Sequence, residues 1–179
     1  RHRVPLYIEK AMYTSSKVEC FFANSNMVRN EMIRHYGVPS KKISVVHNGV
    51  EWHEYKEHFE SWHEKRPQLL QEHGLSPDDY HFVFIGSGFK RKGLTNLLHG
   101  LAMLKGFPWS LSVAGRDKST KKYKHLAEKL GIASRVRFCG LCDDVTTLYQ
   151  IADALVIPSL YDPFANVTVE ALAMGLSVV

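Results

Sequence analysis

From residue 82 onward the apolar positions fall into two alternating periods. The run FVFI (82–85) precedes leucines at 94, 97, 98, 101 and 104, spaced for one face of a helix. WSLSVAG (109–115) sets Trp109, Leu111 and Val113 against Ser110, Ser112 and Ala114, as a strand does. Residues 121–130 predict a helix burying Tyr123, Leu126, Ala127 and Leu130, closed by Gly131. RVRFC (135–139) predicts a further strand, and a short helix capped by Asp143 or Asp144 turns Val145, Leu148 and Tyr149 inward. ALVI (154–157) ends at Pro158, and a last helix from about Asn166 to Met174 stops at Gly175 and feeds SVV. Strands alternating with helices of this length predict an α/β fold with a parallel sheet and right-handed crossovers. Ligands of such sheets bind at the carboxyl ends of the strands.

The first part reads differently. CFFAN makes a short strand holding Phe21 and Phe22, and Ser25 caps a helix to Tyr36 that buries Met27, Val28, Met32 and Ile33. The turn GVPSKK leads to a strand ISVV and then to the turn pair Asn48-Gly49, where a domain boundary is expected. Residues 52–73 are polar and dotted with aromatics; they read as a helical connector interrupted by Pro67.

A chain of 179 residues accommodates one domain, or one domain and part of another. The net charge of +5 favours anionic ligands or an anionic surface without demanding nucleic acid. No apolar run approaches the ~18 residues of a membrane span. Three scattered cysteines exclude a disulfide framework and fit reduced thiols in the cytoplasm. With no initiating Met, no signal-peptide core and an end within the strand SVV, the chain reads as a fragment cut at both ends.

The chemistry concentrates in FVFIGSGFKRKG (82–93). A strand breaks into Gly86-Ser87-Gly88, Arg91 and Lys92 follow, and a helix opens at Gly93. Glycines admit close backbone approach, a helix N-terminus presents N–H groups, and the two side chains add a bidentate fork and a point charge. That combination is a diphosphate cradle, though neither a Walker loop nor a full GxGxxG. A second group lies in YDPFANVTVEALAMG, where Asp162 follows a strand and Glu170 comes eight positions later in a helix. Such carboxylates accept hydrogen bonds from sugar hydroxyls, while backbone N–H groups near residues 165–167 meet oxygens. The plainer alternative makes Asp162 a turn residue and Glu170 a complement to the helix dipole.

Taken in order, HYGVPSKKISVVHNGV, the 82–93 cradle, VAGRDK, RVRFCG and the acid–seven–acid spacing resemble retaining glycosyltransferases of family four, GT-B enzymes of group 1. Within that family the chain is most similar to bacterial lipopolysaccharide core glucosyltransferases. The resemblance implies a GT-B Rossmann-like parallel sheet, with 1–48 ending an acceptor-side domain, 49–77 a hinge and connector, and 78–179 a truncated nucleotide-sugar domain. It implies that Gly86 and Gly88 lie along the donor diphosphate, which Arg91 and Lys92 neutralise. By the same likeness Arg137 and Phe138 belong to the segment whose backbone faces the base, and Glu170 holds the ribose hydroxyls. Asp162 addresses the transferred sugar, and Phe164, Ala165, Asn166 and Val167 supply backbone donors. Asp162 is one methylene shorter than the family's usual Glu, and Ala165 stands where Gly is common. The implied reaction moves a hexose from a nucleotide diphosphate sugar, of the UDP-glucose type, to a glycan or glycolipid acceptor with retention. No metal or other cofactor is implied. Because the acceptor side belongs to the first domain, the isolated chain is expected to bind donor weakly and transfer nothing.

Other features admit other readings. Cys139 and Cys142 form a CxxC between a strand and a helix, the context of a dithiol redox site, although Asp143 and Asp144 oppose thiolate formation. His53, His58 and His63 recur at five-residue spacing, which suits a solvated face better than a helical metal pair. Lys118, Lys121, Lys122 and Lys124 form a basic patch: a solvated helix face, or a peripheral contact with an anionic membrane. Aromatics are not interleaved with basic residues as on a nucleic-acid platform, so no nucleic-acid partner is expected.

Overall fold

The computed structural model describes residues 3–142 and 144–179, with the first helix's side chains from residue 6 on. Two compact units divide the chain: Arg1–Gly49 with Pro163–Ala165, and Val50–Asp162 with Asn166–Val179.

In the first unit, α1 (Arg3–Thr14), β1 (Phe21–Ala23), α2 (Asn26–Tyr36) and β2 (Ile43–Val45) follow in order, and β1 pairs with β2 in parallel. Ser25 caps α2 by accepting the Val28 N–H at 3.2 Å. Ala23, Met32, Val38 and Ile43 form the small core, with the Tyr13 ring 4.5 Å from Tyr36. Met27, expected inward, is exposed, because Val28 and Met32, one turn apart, occupy the buried stripe. The sequence reading gave α1 no element, and its Leu6, Tyr7, Ile8 and Met12 are exposed.

The second unit holds α3 (Trp52–Glu72), β3 (Tyr80–Ile85), α4 (Leu94–Ala102), β4 (Trp109–Ala114) and α5 (Thr120–Lys129). These are followed by β5 (Val136–Gly140), α6 (Thr146–Ile151), β6 (Ala154–Leu155), α7 (Asn166–Ala173) and β7 (Ser177–Val178). All five strands are parallel, in the order β5-β4-β3-β6-β7. The chain builds outward from β3 to β5, then returns to the other flank of β3 with β6. Strand order therefore reverses between β3 and β6, where connections leave in opposite senses and a crevice opens at the carboxyl ends.

Alternation along β3 and β4 decides which face each residue serves. Phe84, Trp109, Leu111 and Val113 pack on α4 and α5, where Leu94 and Leu98 are fully buried and each contributes about 1.5–3 kcal/mol. Val83, Ala114 and Leu155 pack on the other face against Leu70 of α3, Leu148 and Tyr149 of α6, and Ala171 of α7. Leu104 leaves the predicted stripe and is 40% exposed. The Met103 and Leu104 amides bond three residues back rather than four, which tightens the last turn past Ala102.

Two features of the sheet and the connector matter. First, Ser110 and Ser112, which alternate with Trp109, Leu111 and Val113, are buried as well. Ser110 faces His81, whose Nε2 lies 2.9 Å from the Ser76 carbonyl and so carries the proton, leaving Nδ1 to accept from the Ser110 hydroxyl. Burial pushes the His81 pKa below the ordinary imidazole value, and the ring is neutral. Second, the 49–77 connector is mostly α3, one 21-residue helix that continues through Pro67. An interior proline costs about 3 kcal/mol. Tertiary contacts outweigh it: Leu70 is buried, Arg66 meets Asp153 at 2.6 Å, and Gln150 donates to the His58 carbonyl at 2.9 Å.

Candidate functional site

The loop after β3 reaches the crevice as a braced structure. The Gly86 N–H donates to Ala114 O at 2.9 Å, Gly88 N–H to Arg116 O at 3.2 Å, and Phe89 N–H to Asp117 Oδ2 at 2.8 Å. In return, Arg116 N–H donates to Ser87 Oγ at 3.0 Å. Phe89 is buried, its ring edge-on to Phe84 and Tyr123. The glycine amides are thus engaged in bracing the loop, and what Gly86 and Gly88 offer is absence of bulk. Gly115 shows why: with φ +129°, a Cβ there would stand 2.2 Å from Gly86 O. Gly93, at φ +77°, is equally constrained, since its Cβ would lie 1.9 Å from the Pro158 carbonyl oxygen after β6. Tight glycine contact on both flanks of β3 brings the charged residues of two loops together.

Lys92 forms an ion pair with Asp162 across this crevice, with side chains 16% and 13% exposed. Its stem runs over Gly86, where a Cβ would meet Lys92 Cε at 3.3 Å. Arg91 beside it is exposed and has no ion pair or hydrogen bond among the described residues. At this strand end Lys92 is thus a neutralised cation, and Arg91, next to it in the chain, is an exposed one.

Glu170 lies in α7, and its Oε2 accepts the Tyr149 hydroxyl at 2.8 Å. Tyr149 is fully buried; burial first, and the Glu170 bond second, push its pKa far above the ordinary phenol value. Asn166 and Val167 open α7, whereas Phe164 and Ala165 group with the first unit, where Phe164 stacks on His47 at 5.5 Å. The expected run 164–167 is thus divided between the units.

Arg137 and Phe138 sit within β5, three and two residues short of its last residue, Gly140. The Arg137 guanidinium donates to His73 Nδ1 at 2.7 Å and to His73 O at 3.3 Å, just past α3. Burial, then the Arg137 charge, lowers the His73 pKa, as its acceptor role requires. Phe138 packs with the α4–α5 face, 5.8 Å from Lys124 Nζ. Arg137 is thus held by hydrogen bonds and Phe138 by packing. Beside β5 lies a cavity of about 520 Å³ lined by Leu69, His73, Arg137, Cys139, Cys142 and Leu148 among others.

The thiols of Cys139 and Cys142 approach the main-chain carbonyls of Arg137 and Gly140, each in its own segment. Of the two predicted α6 caps, Asp143 lies outside the described residues. Asp144 accepts the Thr146 N–H at 2.8 Å, and the Thr146 hydroxyl holds its carboxyl below the ordinary range. Among the described residues no three potential ligands cluster to hold a metal ion. No helix among them is long and apolar enough to cross a membrane.

Sequence reasoning missed three residues of this site. Asp117 and Ser87 brace the loop, and Tyr149 holds Glu170. Asp117 had a local signal, since it also accepts the Ser119 N–H at 2.7 Å and so starts α5. Tyr149 had none beyond apolar spacing.

An α/β unit of this kind, a parallel sheet wound in two directions with a braced glycine loop at its switch point, has the form of a GT-B glycosyltransferase domain. Comparison with known proteins agrees. Residues 65–179 match the family described as glycosyl transferases group 1, and residues 1–53 match glycosyltransferase family 4. The chain belongs to the group 1 glycosyl transferases. The lipopolysaccharide glucosyltransferase WaaG of Escherichia coli K12 is 28% identical over 99% of this chain and 48% of its own length. An uncharacterized glycosyltransferase, MJ1607 of Methanocaldococcus jannaschii, is 30% identical over 87% of this chain and 40% of its own. A crystal structure of WaaG superposes with a TM-score of 0.86 at 27% identity, covering 99% of this chain and 48% of that one. Anabaena Alr3699/HepE, solved in complex with UDP and glucose, shares the fold, with a TM-score of 0.77 at 22% identity over 89% of this chain and 43% of that one. The chain thus spans about half the length, or less, of these relatives.

Proposed function

We propose that the protein transfers a hexose from a nucleoside diphosphate sugar of the UDP-glucose type to an acceptor hydroxyl of a glycan or glycolipid, with retention. The observation that carries this reading is the crevice between β3 and β6, where Lys92 pairs with Asp162 and Arg91 stands free. A diphosphate entering there meets the Arg91 fork, and competes with Asp162 for Lys92. Negative charge gathers on the leaving diphosphate as the glycosidic bond breaks; Arg91 and Lys92 stabilise it, and no metal has a part in this reading. Gly86 and Gly88 let the diphosphate approach. Asp162, once Lys92 turns to phosphate, addresses the transferred sugar. Glu170 accepts the ribose hydroxyls, and Asn166 and Val167 present amides at the α7 N-terminus, with Phe164 and Ala165 before them. Backbone at the Arg137–Phe138 segment faces the base.

The likeness to WaaG supports a role in lipopolysaccharide or another cell-surface glycan. In this reading the protein works in the cytoplasm at the inner membrane face, with the exposed Lys118, Lys121, Lys122 and Lys124 meeting anionic lipid.

Calorimetric titration with UDP, UDP-glucose and GDP-mannose, without metal and beside Arg91→Ala, tests the donor site. Arg91 is exposed and unpaired, so the variant should keep its fold. A lost charge-assisted hydrogen bond is worth about 1.5–3 kcal/mol, hence binding of UDP weakened roughly tenfold or more. Unchanged UDP binding in the variant would remove Arg91 from the diphosphate site. Binding of GDP-mannose alone would replace the donor.

A further inference from the structure

We infer that Tyr149 is a positioning residue for donor recognition: its buried hydroxyl fixes the Glu170 carboxylate in the orientation that accepts the ribose diol. The inference rests on the proposed role of Glu170 and adds a residue to it.

Tyr149 is on α6 and Glu170 on α7, so the bond joins two helices that follow different strands. The phenol is 0% exposed and packed with Leu148, Ile151, Leu155, Ala171 and Met174. Its only polar atom donates to Glu170 Oε2 at 2.8 Å. Burial keeps the phenol protonated across the working pH range, so it acts as a permanent donor. A glutamate has three side-chain torsions, and a half-buried one without a tether samples several rotamers. With Oε2 tethered, the remaining lone pairs of the carboxylate keep a fixed direction. Tyr149 lies two residues before the end of α6, which leads directly into β6 and so shares the frame that carries Asp162. The phenol therefore holds the Glu170 carboxylate in one orientation on α7 without itself touching substrate.

The test is a ligand-coupled cycle. UDP and 2′,3′-dideoxy-UDP are titrated into the wild-type chain, Tyr149→Phe, Glu170→Gln and the double variant, with thermal melts as a folding control. Wild type is expected to prefer UDP by roughly tenfold, one good hydrogen bond to a charged group. Tyr149→Phe should lose most of that preference by weakening UDP alone, leaving the dideoxy nucleotide as before. Adding Tyr149→Phe to Glu170→Gln should change the ratio no further, because the phenol acts only through the carboxylate. Equal weakening of both nucleotides would show a merely structural phenol and overturn the inference. A wild-type preference retained in Tyr149→Phe would overturn it too, while leaving the role of Glu170 intact. Equal affinity of wild type for both nucleotides, or none for either, would remove Glu170 from ribose recognition and Tyr149 with it. If Tyr149→Phe melts too low to titrate, the titrations are run at a lower temperature at which its melt shows it folded, and the same ratios decide.

Discussion

Gly93→Ala should destabilise the second unit well beyond an ordinary glycine replacement. The reason is the contact with Pro158, and a matched control isolates it. Gly93 (φ +77°) and Gly131 (φ +71°) share the left-handed backbone, but a Cβ on Gly131 meets nothing within 4 Å, whereas on Gly93 it lies 1.9 Å from Pro158 O. The left-handed conformation costs a non-glycine residue about 1–2 kcal/mol. Reduced freedom of the unfolded chain returns about 0.4–1 kcal/mol in both variants. Gly131→Ala should therefore cost on the order of 1 kcal/mol or less. Gly93→Ala must also push the β6 end away from the β3 loop, which adds about 1–3 kcal/mol of overpacking. All three tryptophans, Trp52, Trp62 and Trp109, lie in the second unit, so fluorescence-monitored urea unfolding reports on it. With a urea slope of about 1–3 kcal/mol per molar, the Gly93→Ala midpoint should fall below the control's by roughly 1 M. Coincident midpoints for the two variants would refute the close approach of the two loops.

Further outcomes are expected. Lys92→Met leaves Asp162 largely buried without its partner and should cost about 3 kcal/mol in urea unfolding, reduced in Lys92→Met/Asp162→Leu; equal losses in both would remove the ion pair from the stability of the loop. Asp117→Ala frees the Phe89 N–H and should cost about 1–3 kcal/mol by the same measurement. It should also loosen UDP binding, and unchanged stability would show that the β4 loop does not brace the cradle. His81 has a pKa below the ordinary 6.5 because of burial, so the unfolded chain binds the extra proton first as pH falls. Its contribution is complete above pH 6.5 and is lost as pH drops through 6.5 toward the folded value. A urea midpoint falling just as steeply from pH 7 to 5 in His81→Asn would place that loss elsewhere.

The elements of the second unit are legible because each rests on near neighbours. Alternation at 109–114 and the leucine stripe at 94–101 are local patterns that tertiary packing confirms. The loop after β3 was legible for the same reason: strand, glycines, two cations and a helix start fall within twelve residues. Pro67 shows where local reasoning fails. A proline breaks a helix that has only its own hydrogen bonds, and α3 instead has α6 and α7 to lean on. Met27 and Leu104 fail more narrowly, each at a helix end, where one residue of shift rotates a side chain by about 100° off its face.

The sequence by itself determined the alternating strands and helices, the parallel sheet they require, and the cluster of glycines and cations at one strand end. Only the tertiary structure decided who meets whom. Lys92 and Asp162 are 70 residues apart and Tyr149 and Glu170 are 21 apart. They meet because β6 returns to the flank of β3 and because α6 and α7 share one face of the sheet. Strand order and the choice of face are settled by packing summed over the whole core, to which any one local stretch contributes too little to be read.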